Sequence, residues 1–139
     1  MAAVLVLVEH DDGTPKKVTY EMLAKARQLG EPAAVFVGDG LDAARDGLGR
    51  HGAATVYVAA GEGWTNRLTL PVADALAAAA DRAEPAAVLV SASPAGKDAG
   101  ARLAARKGWG MLADITDLDG ELVATQSVFG GTTTVHSRV

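Results

Sequence analysis

The first 107 residues show short apolar runs that alternate with longer segments of helical period. The runs lie at 4–8, 33–37, 55–59 and 86–90, and they are apolar almost throughout instead of alternating with polar residues. Continuous runs of this kind are typical of parallel strands buried on both faces of a sheet. Because helical segments separate them, the pattern predicts a three-layer α/β fold with a mainly parallel sheet.

Four helices are predicted between and after these strands. The first begins at Thr19, whose side chain can cap a helix, and ends at Gly30. Its apolar residues follow a helical spacing and are Met22, Leu23, Ala26 and Leu29. The other three helices are predicted at 42–50, 71–82 and 95–107, with Thr69 as a cap near the start of the third.

The pattern changes after Gly108, where three strand-like segments follow one another at 112–118, 121–129 and 132–139. Asp119-Gly120 and Gly130-Gly131 separate them, and such dipeptides between strand-like runs are strong hairpin signals. The parallel body is therefore predicted to end in an antiparallel meander of three strands. With 139 residues and 49% apolar composition, we expect a single domain over 1–139.

Composition excludes several classes of protein. The chain has no cysteine, so it has no disulfide, thiolate metal site or cysteine nucleophile, which agrees with a cytoplasmic location. Its net charge of -4 has the wrong sign for binding along a nucleic acid. No apolar run approaches the roughly 18 to 20 residues that cross a bilayer. We therefore expect no nucleic-acid partner and no membrane insertion.

Two polar segments follow the first two predicted strands, where open parallel sheets bind ligands. Glu9-His10-Asp11-Asp12 can hold a divalent metal, or His10 can act as a base, but a solvated strand end is the favoured interpretation. The segment 38–43 has the pattern G-x-G-x-x-A of dinucleotide sites. Asp39 and Asp42 place negative charge where a phosphate would lie, so a tight turn is favoured there.

The segment after the fourth strand is the strongest candidate for chemistry. It offers hydroxyls, a glycine and a lysine at the start of a helix, which is a composition that can bind a phosphate or carboxylate. These candidate anion-binding or docking residues are Ser91, Ser93, Gly96, Lys97 and Asp98. In the alternative interpretation Ser93 caps the helix and Pro94 takes its first position, and both can hold together. No histidine is near in sequence to activate a serine, so we predict no catalytic residue. No second histidine or acidic pair lies at a recognisable metal-ligand spacing elsewhere in the chain, so we predict no metal site.

The remaining histidines and tryptophans give weaker signals. His51 lies at a predicted helix end and His136 on a predicted strand, and we expect both to be structural or exposed. Trp64 and Trp109 fall in predicted turns. Each can contact a partner or pack over a helix end.

Several separated segments resemble the amino-terminal domain of the electron-transfer flavoprotein alpha subunit, in order and spacing along nearly the whole chain. They are Val4–His10, Ala26–Gly30, Ser91–Asp98, Arg102–Ala105 and Ala113–Ile115. The stretch Val128–Gly131 is similar to that family's aromatic-small-glycine turn, although Thr125 stands where an arginine is common.

The resemblance implies an adenine-nucleotide-hydrolase-like fold within a heterodimeric FAD carrier. Such carriers take electrons from acyl-CoA and related dehydrogenases in fatty-acid β-oxidation and pass them to a membrane quinone reductase. In this family the first domain of the alpha subunit pairs with the beta subunit, and a second, carboxyl-terminal domain holds the FAD. That second domain is absent from the 139 residues, so no FAD-binding residue can be assigned.

We therefore expect a scaffold and heterodimerisation domain that has no catalytic activity and binds no FAD itself. The alternative is a free-standing domain that binds an adenine nucleotide or another anion through Ser91, Ser93, Gly96 and Lys97.

Overall fold

A computed structural model describes residues 2–60, 70–128 and 133–138, with the backbone alone at 70, 127, 128 and 133. The elements in these ranges follow the predicted alternation closely. They are β1 (Ala3–Leu7), β2 (His10–Asp11), β3 (Thr14–Pro15), α1 (Lys17–Leu29), β4 (Glu31–Val37), α2 (Leu41–Arg50), β5 (Thr55–Ala59), α3 (Leu70–Ala83), β6 (Ala87–Leu89), α4 (Pro94–Lys107), β7 (Ile115–Leu118), β8 (Ala124–Val128) and β9 (Thr133–Ser137).

The main sheet is parallel and has the strand order β5-β4-β1-β6. After β1 the chain adds β4 and β5 on one side, and it then returns to place β6 on the other side of β1. The strand order therefore reverses between β1 and β6, which is where sheets of this kind usually bind ligands. The predicted three-layer α/β fold with a parallel sheet is confirmed.

The side chains of β1 explain why its sequence is apolar throughout. Val4 and Val6, together with Val8 directly after the strand, pack on one face of the sheet against α1 and α2. Leu5 and Leu7 pack on the opposite face, where α3 and α4 contribute mainly alanines. All five side chains are buried. Each face thus has its own core, and a polar residue in this strand would enter one of them.

The start of α1 differs from the prediction. The cap position is Lys16, which makes no side-chain hydrogen bond there, and Thr19 lies inside the first turn. The Thr19 side chain is fully buried. Its Oγ1 accepts a hydrogen bond from the backbone N–H of Glu9 at 3.1 Å. The hydroxyl that suggested a cap therefore satisfies the end of β1 instead.

A short hairpin between β1 and α1 was not predicted. β2 and β3 pair antiparallel across a two-residue turn, Asp12-Gly13, in which both residues have positive φ of 47° and 90°. Positive φ at both positions is the geometry that Asp-Gly favours in hairpins. Because each strand has only two residues, the sequence contains no apolar pattern that would predict the hairpin.

The predicted meander is confirmed, with shorter strands than expected. β8 pairs antiparallel with both β7 and β9. The loop between β7 and β8 is organised by Asp119, whose Oδ1 accepts hydrogen bonds from the N–H groups of Glu121 and Val123 at 2.9 and 3.0 Å. The predicted Gly130-Gly131 turn and the Thr69 cap lie outside the described residues.

Two ion pairs tie the meander to helices on opposite faces of the sheet. Lys97 of α4 contacts Asp114, and Lys25 of α1 contacts Asp117, each at 2.8 Å. The start of the meander is therefore linked to one helix from each face of the sheet. The hydrogen bond and charge of Lys25 lower the pKa of Asp117 below its ordinary value of 3.8.

Removing both lysines should loosen the meander. We expect the double variant Lys25→Ala, Lys97→Ala to show faster amide hydrogen exchange in β7 and β8. The matched control is Lys17→Ala, Arg102→Ala, which removes two charges from the same helices but breaks pairs that lie within one helix. Equal exchange in both variants would contradict the tether.

The Lys25–Asp117 tether should also weaken in acid. The folded-state pKa of Asp117 is depressed, so the stabilisation is complete above pH 3.8 and is lost as the pH falls below that value.

Candidate functional site

The point where β1 and β6 diverge holds a hydrogen-bonded cluster. Glu9 follows β1, and Ser91 and Ser93 follow β6. Both serine hydroxyls donate to the same carboxylate oxygen, Oε1 of Glu9. Ser93 Oγ also accepts a hydrogen bond from the N–H of Gly96 at 3.0 Å and so caps α4. The carboxylate is thus linked to the positive end of α4 through one serine.

Close packing around Gly96 makes this cluster compact. A Cβ on Gly96 would lie 2.4 Å from the carbonyl oxygen of Ser91 and 2.7 Å from its Oγ. Only glycine fits at that distance, since the obstructing oxygen belongs to the backbone. Gly96 is buried, and Ser91 is only 6% exposed. The first turn of α4 therefore packs directly against the end of β6.

The five residues predicted as an anion-binding or docking loop divide into two groups. Ser91, Ser93 and Gly96 come together in the cluster, whereas the side chain of Lys97 reaches Asp114. Asp98 pairs with Arg102 at 3.2 Å, one turn along α4. The predicted capping role of Ser93, with Pro94 at the first helical position, is confirmed.

Glu9 is the member that sequence reasoning did not place in this cluster. It stands 82 residues before Ser91, and only the adjacency of β1 and β6 brings the two together. Its carboxylate carries negative charge at the helix end, where a bound phosphate would also lie. An external anion would have to displace it.

His10 is held by both of its ring nitrogens. Nε2 lies 2.7 Å from the carbonyl oxygen of Val37, and Nδ1 accepts a hydrogen bond from the N–H of Gly13 at 3.0 Å. A carbonyl can only accept, so the ring is neutral and carries its proton on Nε2. The ring also stacks on Phe36 with centroids 4.0 Å apart. This geometry favours a structural role over that of a base or ligand.

The turn between β2 and β3 packs directly against the G-x-G-x-x-A segment. A Cβ on Gly13 would lie 2.2 Å from the carbonyl oxygen of Gly40, and a Cβ on Gly40 would lie 2.9 Å from the Cα of Gly13. Gly40 has a φ of 99° and precedes α2. In a dinucleotide site, a glycine at this position lets the backbone approach the pyrophosphate. Here Gly40 instead lets the turn at Gly13 approach the backbone. The tight-turn interpretation fits this contact.

A groove of about 470 Å³ lies elsewhere, between β5 and α3. Its walls include Val56, Tyr57 and Ala59 from the strand and Ala75 and Arg82 from the helix. It lies at the β5 edge of the sheet, away from the point where the strand order reverses.

The other predicted positions have simple environments. His51 stacks on Tyr20 with centroids 3.9 Å apart, and its Nδ1 lies 2.7 Å from the carbonyl oxygen of Gly47. His136 is exposed on β9, with Nδ1 3.3 Å from Thr125 Oγ1. Trp109 is 43% exposed just after α4. Trp64 lies outside the described residues.

The described residues contain neither a metal-binding cluster nor a helix that could span a membrane. Within 2–60, 70–128 and 133–138, no three or more histidine, aspartate or glutamate residues are arranged to hold a metal ion. In the same ranges, every helix is too short or too polar to span a bilayer.

These observations define a class of protein: an α/β domain whose ligand edge is closed by its own residues, with Ser91 and Ser93 facing a carboxylate instead of a histidine base. The chain belongs to the electron transfer flavoprotein family, since the model of the electron transfer flavoprotein domain matches residues 4–138. The resemblance found in the sequence is confirmed.

Its relatives include alpha subunits of that family. The chain is 49% identical to the electron transfer flavoprotein subunit alpha of Mycobacterium leprae, over 99% of this chain and 44% of that protein. It is 47% identical to the same subunit of Mycobacterium tuberculosis H37Rv, with the same coverage. A more distant relative, at 31% identity, is the lactate dehydrogenase (NAD(+),ferredoxin) subunit LctC of Acetobacterium woodii, with 92% and 33% covered. The chain spans less than half the length of these relatives.

Replacing His10 by alanine should destabilise the domain by about 2 kcal/mol, because two hydrogen bonds and a ring stack are lost. Urea unfolding measures this loss. The control His136→Ala removes an exposed histidine and should change stability by less than about 0.5 kcal/mol. Similar losses in both variants would contradict the structural role of His10.

Adding one methyl group at two glycines of the same region should have opposite effects. Gly40→Ala should destabilise by about 2 kcal/mol or more, because Gly40 has positive φ and abuts Gly13. Gly49→Ala, where nothing lies within 4 Å, should stabilise α2 by about 0.5–1 kcal/mol. Thermal unfolding compares the two, and a Gly40→Ala variant of unchanged stability would disprove the close contact.

Proposed function

We propose that this chain is the scaffold and heterodimerisation domain of an FAD-containing electron carrier. The observation that carries the proposal is the 49% identity to an electron transfer flavoprotein alpha subunit over 99% of the chain. The match to the amino-terminal part of such subunits supports assigning the chain to their first domain. The closed carboxyl edge of the sheet supports a role in which the domain positions other parts and holds no small ligand there.

Two positions at the carboxyl edge of the sheet where nucleotide cofactors usually bind are already filled by this chain. The crevice between β1 and β6 is filled by the Glu9 carboxylate, and the glycine turn before α2 is filled by Gly13. We therefore assign the FAD to a part of the carrier outside this chain. In this proposal the flavin does the redox chemistry, and the present domain contributes to its placement through the assembled carrier.

The proposed direct partner is the electron-transfer flavoprotein beta subunit. Through the assembled complex the carrier would accept electrons from acyl-CoA and related dehydrogenases in fatty-acid β-oxidation and deliver them to a quinone reductase, from a cytoplasmic location. The support for these steps is the family of the chain alone.

The geometry gives less support to a free-standing nucleotide-binding domain. That function would use Lys97 as the cation of the site, but the Lys97 ammonium lies 2.8 Å from a carboxylate oxygen of Asp114. The serine hydroxyls would face the phosphate, but both donate to Glu9. Binding would cost both of these interactions.

Co-expression with the beta subunit from the same genome tests the proposal. We expect the two chains to elute as a 1:1 heterodimer in size-exclusion chromatography with light scattering. We also expect the 139-residue chain purified alone to show no flavin absorbance, since its ligand crevice is filled. A chain that elutes alone after co-expression would contradict the heterodimerisation role, and a flavin that stays with the isolated chain would contradict the assignment of FAD elsewhere.

A further inference from the structure

We infer that Glu9 is a built-in ligand: its carboxylate fills the anion position that β1, β6 and α4 create where the strand order reverses. The position is suited to an anion because two hydroxyls point into it and a helix begins beside it. In this chain the anion comes from the protein itself.

The hydrogen-bond donors determine the charge that the position accepts. Each hydroxyl has one proton, and both protons point to Glu9 Oε1. The 2.8 Å approach of Ser91 Oγ to Ser93 Oγ is therefore a contact between two donors to a common acceptor. Ser93 is further polarised by the Gly96 N–H that it accepts. An acceptor with negative charge satisfies all of these groups at once.

The carboxylate is also held in place by its own backbone. The N–H of Glu9 donates to Thr19 Oγ1 at 3.1 Å, and its carbonyl oxygen accepts from the N–H of Lys16 at 2.8 Å. No lysine or arginine within 2–60, 70–128 or 133–138 forms an ion pair with it. Within the described residues, the groups that stabilise the charge of this carboxylate are thus the two serine hydroxyls and the start of α4.

Truncation of Glu9 should convert the filled position into a binding site. Glu9→Ala removes Cγ, Cδ and both carboxylate oxygens, which together are the heavy atoms of an acetate ion. The two serines lose their common acceptor, and although one hydroxyl can then donate to the other across 2.8 Å, the second is left without an acceptor in the cluster. An unsatisfied donor in a partly buried cluster is costly. A small carboxylate from solution should therefore bind to the variant and restore part of its stability by mass action.

Thermal unfolding in different salts tests this inference. We expect Glu9→Ala to melt roughly 5 °C below the wild-type chain. Sodium acetate should recover much of the loss, whereas sodium chloride at equal ionic strength and the neutral isostere acetamide should not. Acetate should leave the wild-type melting temperature unchanged. An equal acetate effect on both proteins, or no recovery at all, would overturn the inference.

Two further variants keep the test decisive. Adding Ser91→Ala and Ser93→Ala to the truncated protein removes the donors, so acetate should then have no effect. If truncation prevents folding, Glu9→Gln retains the shape without the charge. Its Gly96 amide should exchange faster than in Glu121→Gln, which changes an exposed carboxylate of the meander. Equal Gly96 exchange in the two glutamine variants would contradict the role of the Glu9 charge.

Discussion

Glu9 lies where β1 and β6 diverge, and its hydrogen bonds hold together three segments that are distant in the sequence. Its side chain accepts hydrogen bonds from both serines of the loop before α4. Its backbone forms hydrogen bonds with Thr19 of α1 and with Lys16, which precedes that helix. The end of the central strand is thereby fixed to a helix on each face of the sheet. Other parallel sheets leave this position open to a ligand.

Small residues make such close self-contact possible. Gly96 lets the first turn of α4 approach the end of β6, and Gly13 and Gly40 let the hairpin turn lie on the loop before α2. Alanines do the same between the helices and the sheet on the α3–α4 face. The consequence is a domain that closes its own ligand edge. This is the arrangement that the proposed scaffold role within a flavoprotein carrier requires.

The fold was largely predictable because its signals are local. Continuous apolar runs give strands buried on both faces, and their alternation with helical segments gives the three layers. The β2–β3 hairpin escaped prediction because two-residue strands carry no periodicity, although Asp12-Gly13 is a favourable turn sequence. Thr19 was misassigned because a hydroxyl near a helix start can either cap it or serve a neighbouring strand end.

The candidate site was predictable only in part. The serines and Gly96 are close in sequence, so their grouping could be read from local chemistry. Glu9 could not be added, because strand order decides which strand end lies next to Ser91, and periodicity does not give that order. Lys97 was assigned to the site by its charge, but its partner Asp114 arrives from the segment after α4.

The most direct test of the closed edge is an NMR titration of the wild-type chain with AMP, following the amide resonance of Gly96. Its N–H already donates to Ser93, and the adjoining anion position is already filled. The resonance should therefore stay in place up to the highest AMP concentration of the titration. A saturable shift of Gly96 that is lost in Lys97→Ala would contradict the account and show an open nucleotide site.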